Sequence, residues 1–285
     1  MPSISSTELA GRALATDSRT GMPRSIMLDR ITPFIITYNE AANLRRVLEK
    51  LHWANRIVVI DSGSTDETLD IVRAYRNAEV VHRPFTDFAS QCNFGLQQIT
   101  TPWALSLDAD YELSDALVTE LSDLLDYDAI DGYRARFVYC IYGRPLRGTL
   151  YPPRTVLFRK EKALYRNEGH GHRVEIAGNV VNLVGIIYHN DKKTLARWIS
   201  SQQRYARDEA SYLLELPKSK LSIVDKLRLM GWPSPIIVLF YTLFVKGCVL
   251  DGWPGWYYAL QRLCAEVLLA LEIVDQRLRK TRSAD

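Results

Sequence analysis

The sequence predicts an α/β protein, a mixed and mainly parallel sheet flanked by helices, with a helical appendage at its C-terminal end. Three observations carry that expectation. Short β-branched apolar runs alternate with amphipathic helical patterns through the first half of the chain. Polar or acidic clusters close three of those runs. Beyond about residue 195 the strand signals cease and long apolar helical patterns replace them. The 285 residues therefore divide into a polar tail (1–30), a sheet domain (31–195) and a helical region (196–285).

Composition limits the function classes. An apolar share of 47% with 24% charged residues belongs to a folded globular chain. The net charge of +3 gives no general affinity for polyanions, so no nucleic-acid partner is expected. Cys92, Cys140, Cys248 and Cys264 stand far apart without a CxxC pair, and no signal peptide is read at the start. Free thiols in a reducing cytosol are the expectation.

In chain order, Ile31-Thr-Pro-Phe-Ile-Ile-Thr37 reads as a strand running into Tyr38-Asn39-Glu40, with Asn39 as a helix cap. Leu44, Val47, Leu48 and Leu51 mark one buried helix face. Arg56-Ile-Val-Val-Ile-Asp61 is a second strand, and Ser64-Thr-Asp-Glu67 fits a capping box that opens a helix with Leu69 and Val72 inward. Val80-Val81 gives a short third strand, and 87–99 a helix. Trp103-Ala-Leu-Ser-Leu-Asp108-Ala-Asp110 is a buried strand ending in two acids. Ser114 caps the next helix, with Leu117, Val118, Leu121, Leu124 and Leu125 as core.

From Gly132 the pattern turns to longer strands, 133–142, 155–158 and 180–188, the last ending at His189. Between them, Asn167-Glu168-Gly-His170-Gly-His172-Arg-Val-Glu175 reads as a flexible loop over the site. Trp198, Tyr205 and Tyr212 recur every seven residues on a helix that Pro217 ends, and read as packing. Runs 233–250 and 259–271 are apolar but interrupted, so neither is a clean membrane span. Lys226 and Arg228 before them, the basic residues from Arg277 to Arg282 after them, and Trp232, Trp253, Trp256, Tyr257 and Tyr258 nearby suit a helix lying in a membrane interface. A helical cap or a homo-oligomer contact through the same helices is the alternative.

Parallel sheets bind ligands outside the carboxyl ends of their strands. Thr37-Tyr38-Asn39-Glu40, Asp61-Ser62-Gly-Ser-Thr-Asp66 and Asp108-Ala-Asp110 all fall at such ends. Residues i and i+2 of an extended chain point to one side, so Asp108 and Asp110 could share a crevice and hold Mg²⁺ or Mn²⁺ with substrate phosphates. Neither a P-loop nor a G-x-G-x-x-G is present. A nucleotide could instead sit at the first two strand ends, where Asp61 could accept from a base imide N–H, while the metal at Asp110 neutralises a diphosphate leaving group.

These residues resemble a known family. Thr37-Tyr-Asn-Glu40 with Asn43-Leu44, Asp61-Ser-Gly-Ser-Thr-Asp66-Glu-Thr68, Asn93-x-Gly95-Leu96 and Leu107-Asp-Ala-Asp110 look like a family 2 glycosyltransferase of the GT-A fold. Tyr151-Pro152-x-Arg154 and Leu250-Asp-Gly-Trp-x-Gly255 are similar to its lipopolysaccharide core β-glycosyltransferase branch. The resemblance implies inverting transfer from a nucleotide sugar, UDP-linked, to a lipid-linked or lipopolysaccharide-type glycan at the inner face of the cytoplasmic membrane. It implies nucleotide-sugar contacts from Thr37, Tyr38, Asn39, Glu40, Asp61, Ser62, Asp66, Asn93, Asp108 and Arg154. Asp110, Asp108 and His189 would be the metal ligands, and Arg154 could clamp the diphosphate or an acceptor phosphate. The branch's His-Glu pair is replaced here by Gly169-His170-Gly-His172, which leaves the catalytic base open among His172, Glu175, His170 and Glu168, with His172 or Glu175 slightly favoured. A nucleotidyltransferase making nucleotide sugars, or a non-catalytic membrane-bound adaptor of the same fold, are the alternatives.

Overall fold

The computed structural model describes residues 27–124, 129–168 and 171–282; residues 1–26, Leu125 and His170, together with the side chain of Glu168, lie outside the described residues. The strand–helix alternation builds the expected sheet. β1 (Ile31–Thr37), β2 (Ile57–Asp61), β3 (Ala78–His82) and β4 (Trp103–Asp108) run parallel, with β1 between β2 and β4. Helices cover both faces, so neighbouring side chains along a strand are all buried: Phe34, Ile35, Val58, Val59 and Ile60 are at most 1% exposed.

The crossovers are α1 (Ala41–Glu49), α2 (Thr68–Arg73) and α3 (Phe88–Gln97). Leu44, Val47, Leu48 and Leu51 are fully buried, as their spacing predicts. The Asp87 side chain accepts from Ser90 N and starts α3. Gly95 marks where α3 crosses β1: a Cβ there would lie 2.8 Å from the Phe34 ring, so only glycine allows this approach.

Two helix starts differ from the expectation. Asn39 does not cap α1; it takes a left-handed backbone (φ 55°), and its side-chain oxygen accepts from Thr65 N (2.7 Å) and Asp66 N (3.3 Å). Ser64 to Glu67 is not a capping box, because α2 starts only at Thr68. The Ser64 hydroxyl donates to Asp61 and accepts from Asn39 N, while Asp66 accepts from Ala41 N (3.3 Å) and Thr68 N (3.0 Å). Short polar side chains offer the backbone alternatives to a cap, and here they tie the two crossover loops to each other. Ile71 and Val72 turn inward, whereas Leu69 is only half-buried.

The second half adds β5 (Tyr111–Leu113), α4 (Asp115–Asp123), β6 (Gly132–Ile141), β7 (Arg144–Pro145), β8 (Arg154–Arg159), β9 (Ala163–Glu168), β10 (Gly171–Ile176) and β11 (Val180–His189). Ser114 caps α4 as expected, accepting from Leu117 N. Among the described residues the main sheet has nine strands in the order β3-β2-β1-β4-β8-β6-β11-β5, with β7 beside β6. β8 is antiparallel to β4 and β6, β11 is parallel to β6, and β5 is antiparallel to β11. The mixed, mainly parallel GT-A-type plan is borne out.

The Gly- and His-rich run expected to be a flexible loop is instead largely strand. β9 and β10 pair as an antiparallel hairpin, with His172 opposite Asn167 and Glu175 opposite Leu164. Val174 and Ile176 pack on the cluster around Phe34 and Ile60, an apolar anchor that the glycines and histidines hide in the sequence.

The helical region comprises α5 (Leu195–Glu215), α6 (Ile223–Met230), α7 (Pro233–Phe240), a π turn (Tyr241–Val245) and α8 (Trp253–Arg282). α5 buries Ala206, Ala210 and Leu213 against Leu269 and Ile273 of α8. Of the aromatic stripe read as packing, Trp198 and Tyr205 are half-buried and Tyr212 is exposed. Arg228, read as a membrane-flanking cation, turns inward: its Nη2 lies 2.7 Å from Glu266 Oε1. The Ser234 hydroxyl donates to the other oxygen of the same buried carboxylate.

The run Leu250 to Gly255 has a mechanical role. Asp251 Oδ2 accepts from Arg147 N (3.1 Å), Cys248 Sγ donates to Gly148 O (3.4 Å), and the Tyr258 hydroxyl accepts from Leu150 N (3.0 Å). A Cβ on Gly148 or Gly255 would collide with the carbonyl of Lys246 or Cys248. The start of α8 thus clasps the loop that leads into β8 and carries Tyr151.

Candidate active site

β1, β2 and β4 end side by side: Thr37 is level with Asp61, and Ile36 with Asp108. This rim is where a parallel sheet presents polar groups to a ligand. Two residues past β4, Asp110 meets the end of β11, where Asp110 Oδ2 lies 3.2 Å from His189 Nε2. Burial disfavours charge on both groups. The attraction between them outweighs it, holding the Asp110 carboxyl well below the usual range and raising His189 above its own.

Behind this pair lies a second charged layer. Lys193 Nζ is 2.8 Å from Glu40 Oε1 and 3.5 Å from Asp191 Oδ2, and Asn43 Nδ2 donates to both Glu40 (3.0 Å) and Asp191 (2.9 Å). Burial pushes the Glu40 carboxyl up despite Lys193, and the surrounding acids raise Lys193 against its own burial. Glu40 therefore sits within a protein network rather than open to a donor. The His189 ring is walled by Tyr139, Tyr151 and Tyr111 at 4.6, 4.9 and 5.3 Å. The Tyr151 hydroxyl bonds that of Tyr111, and the Arg154 guanidinium lies 4.6 Å over the Tyr151 ring.

On the hairpin, the His172 ring stacks on Phe88 (5.5 Å) and leans on Tyr165 (5.4 Å). Burial pushes its pKa below 6.5, with Asp108 pulling up and Arg154 down. Glu175 is on the opposite face of β10, exposed and paired with Arg166 Nε at 2.7 Å.

The residues expected to hold a donor divide into two groups. Asn39 and Asp66 are spent on the crossover loops. Asn93 is spent on α3 and the hairpin, its amide exchanging both hydrogen bonds with the Tyr165 main chain (3.0 and 2.9 Å). The Ser62 hydroxyl accepts from Gln91. Asp61, 1% exposed, accepts from Gly63 N (2.8 Å), Ser64 N (3.0 Å) and the Ser64 hydroxyl, which leaves one lone-pair direction on Oδ1. Tyr38 is exposed, and the buried Thr37 hydroxyl has no partner among the described residues. Sequence reasoning missed Asp191, Lys193, Tyr139 and Tyr258. The first two follow His189 directly, so a fourth polar strand end was their signal; the two tyrosines had none.

The donor set suits a divalent ion that arrives with its substrate. Asp110 Oδ2 and His189 Nε2 already face each other, with Asp108 on the same rim, and His189 Nδ1 is buried without a partner. No group of three or more His, Cys, Asp or Glu side chains is preassembled among the described residues. Mg²⁺ and Mn²⁺ are commonly held in this way, by one or two carboxylates with phosphate oxygens and water completing the shell.

A mixed sheet with acids at adjoining strand ends has the GT-A-type plan of glycosyltransferases. The chain belongs to glycosyltransferase family 2: the model described as Glycosyl transferase family 2 matches residues 33–190. It is 32% identical to the lipopolysaccharide core biosynthesis glycosyltransferase LpsC of Rhizobium meliloti, over 88% of this chain and 94% of that protein. It is 26% identical to the uncharacterized glycosyltransferase RP128 of Rickettsia prowazekii, over 88% and 89% of the two chains. Among solved structures, S. aureus TarS 1-349 in complex with UDP-GlcNAc superposes with a TM-score of 0.46 at 15% identity, covering 87% of this chain and 91% of that one.

Proposed function

We propose that this glycosyltransferase moves a sugar, with inversion, from a UDP-sugar to a lipid-linked or lipopolysaccharide-type glycan, with Mg²⁺ or Mn²⁺ held by Asp110, Asp108 and His189. The observation that carries the reading is the Asp110–His189 pair on the rim shared by Thr37, Asp61 and Asp108. The remaining lone pair of Asp61 suits a base imide N–H, and Thr37 and Tyr38 border the same corner. When bound, the metal would supply positive charge against the departing diphosphate. Arg154, held over the Tyr151 ring, would add a cation for phosphate oxygens. His172, neutral and on the face that meets Phe88 and Tyr165, takes the proton of the acceptor hydroxyl. The name of the Rhizobium relative supports the acceptor class.

A panel of nucleotide sugars assayed for slow donor hydrolysis tests the donor. UDP-linked sugars should be consumed only with Mg²⁺ or Mn²⁺ present. If another nucleotide series alone is consumed, the base assignment at Asp61 is wrong; if none is consumed and UDP does not bind, the donor site goes with it.

We also infer that the enzyme works as a peripheral protein at the inner face of the cytoplasmic membrane. No helix among the described residues is long and apolar enough to cross a membrane. Trp232, Phe240, Phe244, Leu250 and Trp253 are each at least 50% exposed on the α7–α8 surface, an apolar and aromatic face with basic residues at the end of α8. Liposomes with anionic lipid should float the intact chain and lose a Trp232→Ser, Phe240→Ser, Phe244→Ser triple variant. Equal flotation would instead leave this face to a second copy of the chain.

A further inference from the structure

Beside its inward face α8 carries a half-buried cation that no carboxylate pairs among the described residues. Tyr258 and Glu266, 3% and 4% exposed, lie one turn either side of Arg262, and residues four apart share a helix face. Glu266 is satisfied by Arg228 and Ser234. Arg262 Nε is buried without a hydrogen-bond partner, and no carboxylate pairs with its guanidinium among the described residues. Arg262 as a whole is only half-buried, and Arg is the side chain best shaped to take phosphate or carboxylate oxygens.

The position of Arg262 names the side of the crevice that it serves. The Tyr139 ring lies 4.9 Å from Tyr258 and 4.6 Å from His189, and Arg262 is one turn along α8 from Tyr258. Arg262 is therefore one helical turn from the tyrosine that backs the His189 box. α8 packs against β6, whereas the nucleotide corner at Asp61 is on β2, with β1, β4 and β8 between them.

We propose that Arg262 is an oxyanion-binding residue on the acceptor side, taking a phosphate or carboxylate group that the glycan acceptor carries. The word acceptor rests on the glycosyltransferase reading above; the unanswered charge does not.

The test uses the full chain and Arg262→Met, melted with increasing inorganic phosphate while UDP and Mg²⁺ saturate the donor side. Phosphate should stabilise the wild type, and its apparent affinity should fall about tenfold or more in the variant with UDP affinity unchanged. Arg262→Lys should keep part of the effect. Without phosphate, Arg262→Met should melt no lower than wild type, since it breaks no ion pair among the described residues. An equal phosphate response in both proteins overturns the proposal, as does no response in the wild type. A response that disappears when UDP is added assigns the anion to the donor diphosphate and also overturns it, and a markedly lower melting temperature would make Arg262 structural. If UDP fails to bind the wild type, the donor reading has failed, and the phosphate comparison is still read without nucleotide.

Discussion

Asp110→Asn is expected to lower sugar transfer by about 10³-fold or more, roughly 4 kcal/mol of barrier, while the protein melts close to the wild-type temperature. The amide keeps the shape of the carboxylate and can still accept from His189 Nε2, now 3.2 Å from Asp110 Oδ2. What it loses is the negative charge on the rim. Breaking a buried ion pair is usually expensive because a charge is stranded, but His189 can release its proton once the carboxylate that raises its pKa is gone. Lys193 keeps Glu40 and Asp191 as partners. Activity and stability should therefore separate in this variant. Calorimetry gives an independent reading: wild type should bind UDP more tightly with Mn²⁺ than without, and the variant should show no such difference. Wild-type turnover in Asp110→Asn would remove the metal assignment.

What was legible in the sequence was whatever depends on neighbours along the chain. The strands to Thr37, Asp61 and Asp108 and the helix face of Leu44, Val47, Leu48 and Leu51 follow from periodicity, and right-handed crossovers then bring the strand ends to one rim. The side-chain wiring of that rim was not legible. Asn39 and Ser64 have the composition of caps, yet they bond each other's loops across 25 and 26 residues. Asn93 matches a donor-site motif and is spent on a strand 72 residues away. The glycines and histidines of 167–175 suggested mobility, while Val174 and Ile176 of β10 pack on the cluster around Phe34 and Ile60. Charge signs alone also misplaced Arg228, because its partner Glu266 is 38 residues downstream on another helix. Periodicity reports burial; it does not report which polar groups burial will pair.

His172→Gln is expected to lower transfer by about 10²- to 10⁴-fold, the range for a lost general base, while Glu175→Gln stays within about twofold. The two candidates are separated by the pleat of β10. His172 faces Phe88 and Tyr165, whereas Glu175 points outward to Arg166. The pH dependence gives the sharper test. A base works when unprotonated, and burial lowers the His172 pKa from 6.5, so its neutral form persists further into acid than a free imidazole would. The acidic limb of kcat/KM should therefore lie below 6.5 in the wild type and be absent from His172→Gln, whose residual rate has no imidazole to titrate. Phe88→Ala exposes the ring and should move that limb up towards 6.5 without removing it, which a purely structural role for His172 does not predict. If the limb survives unchanged in His172→Gln, another group carries the proton, and the base has to be sought elsewhere on the hairpin.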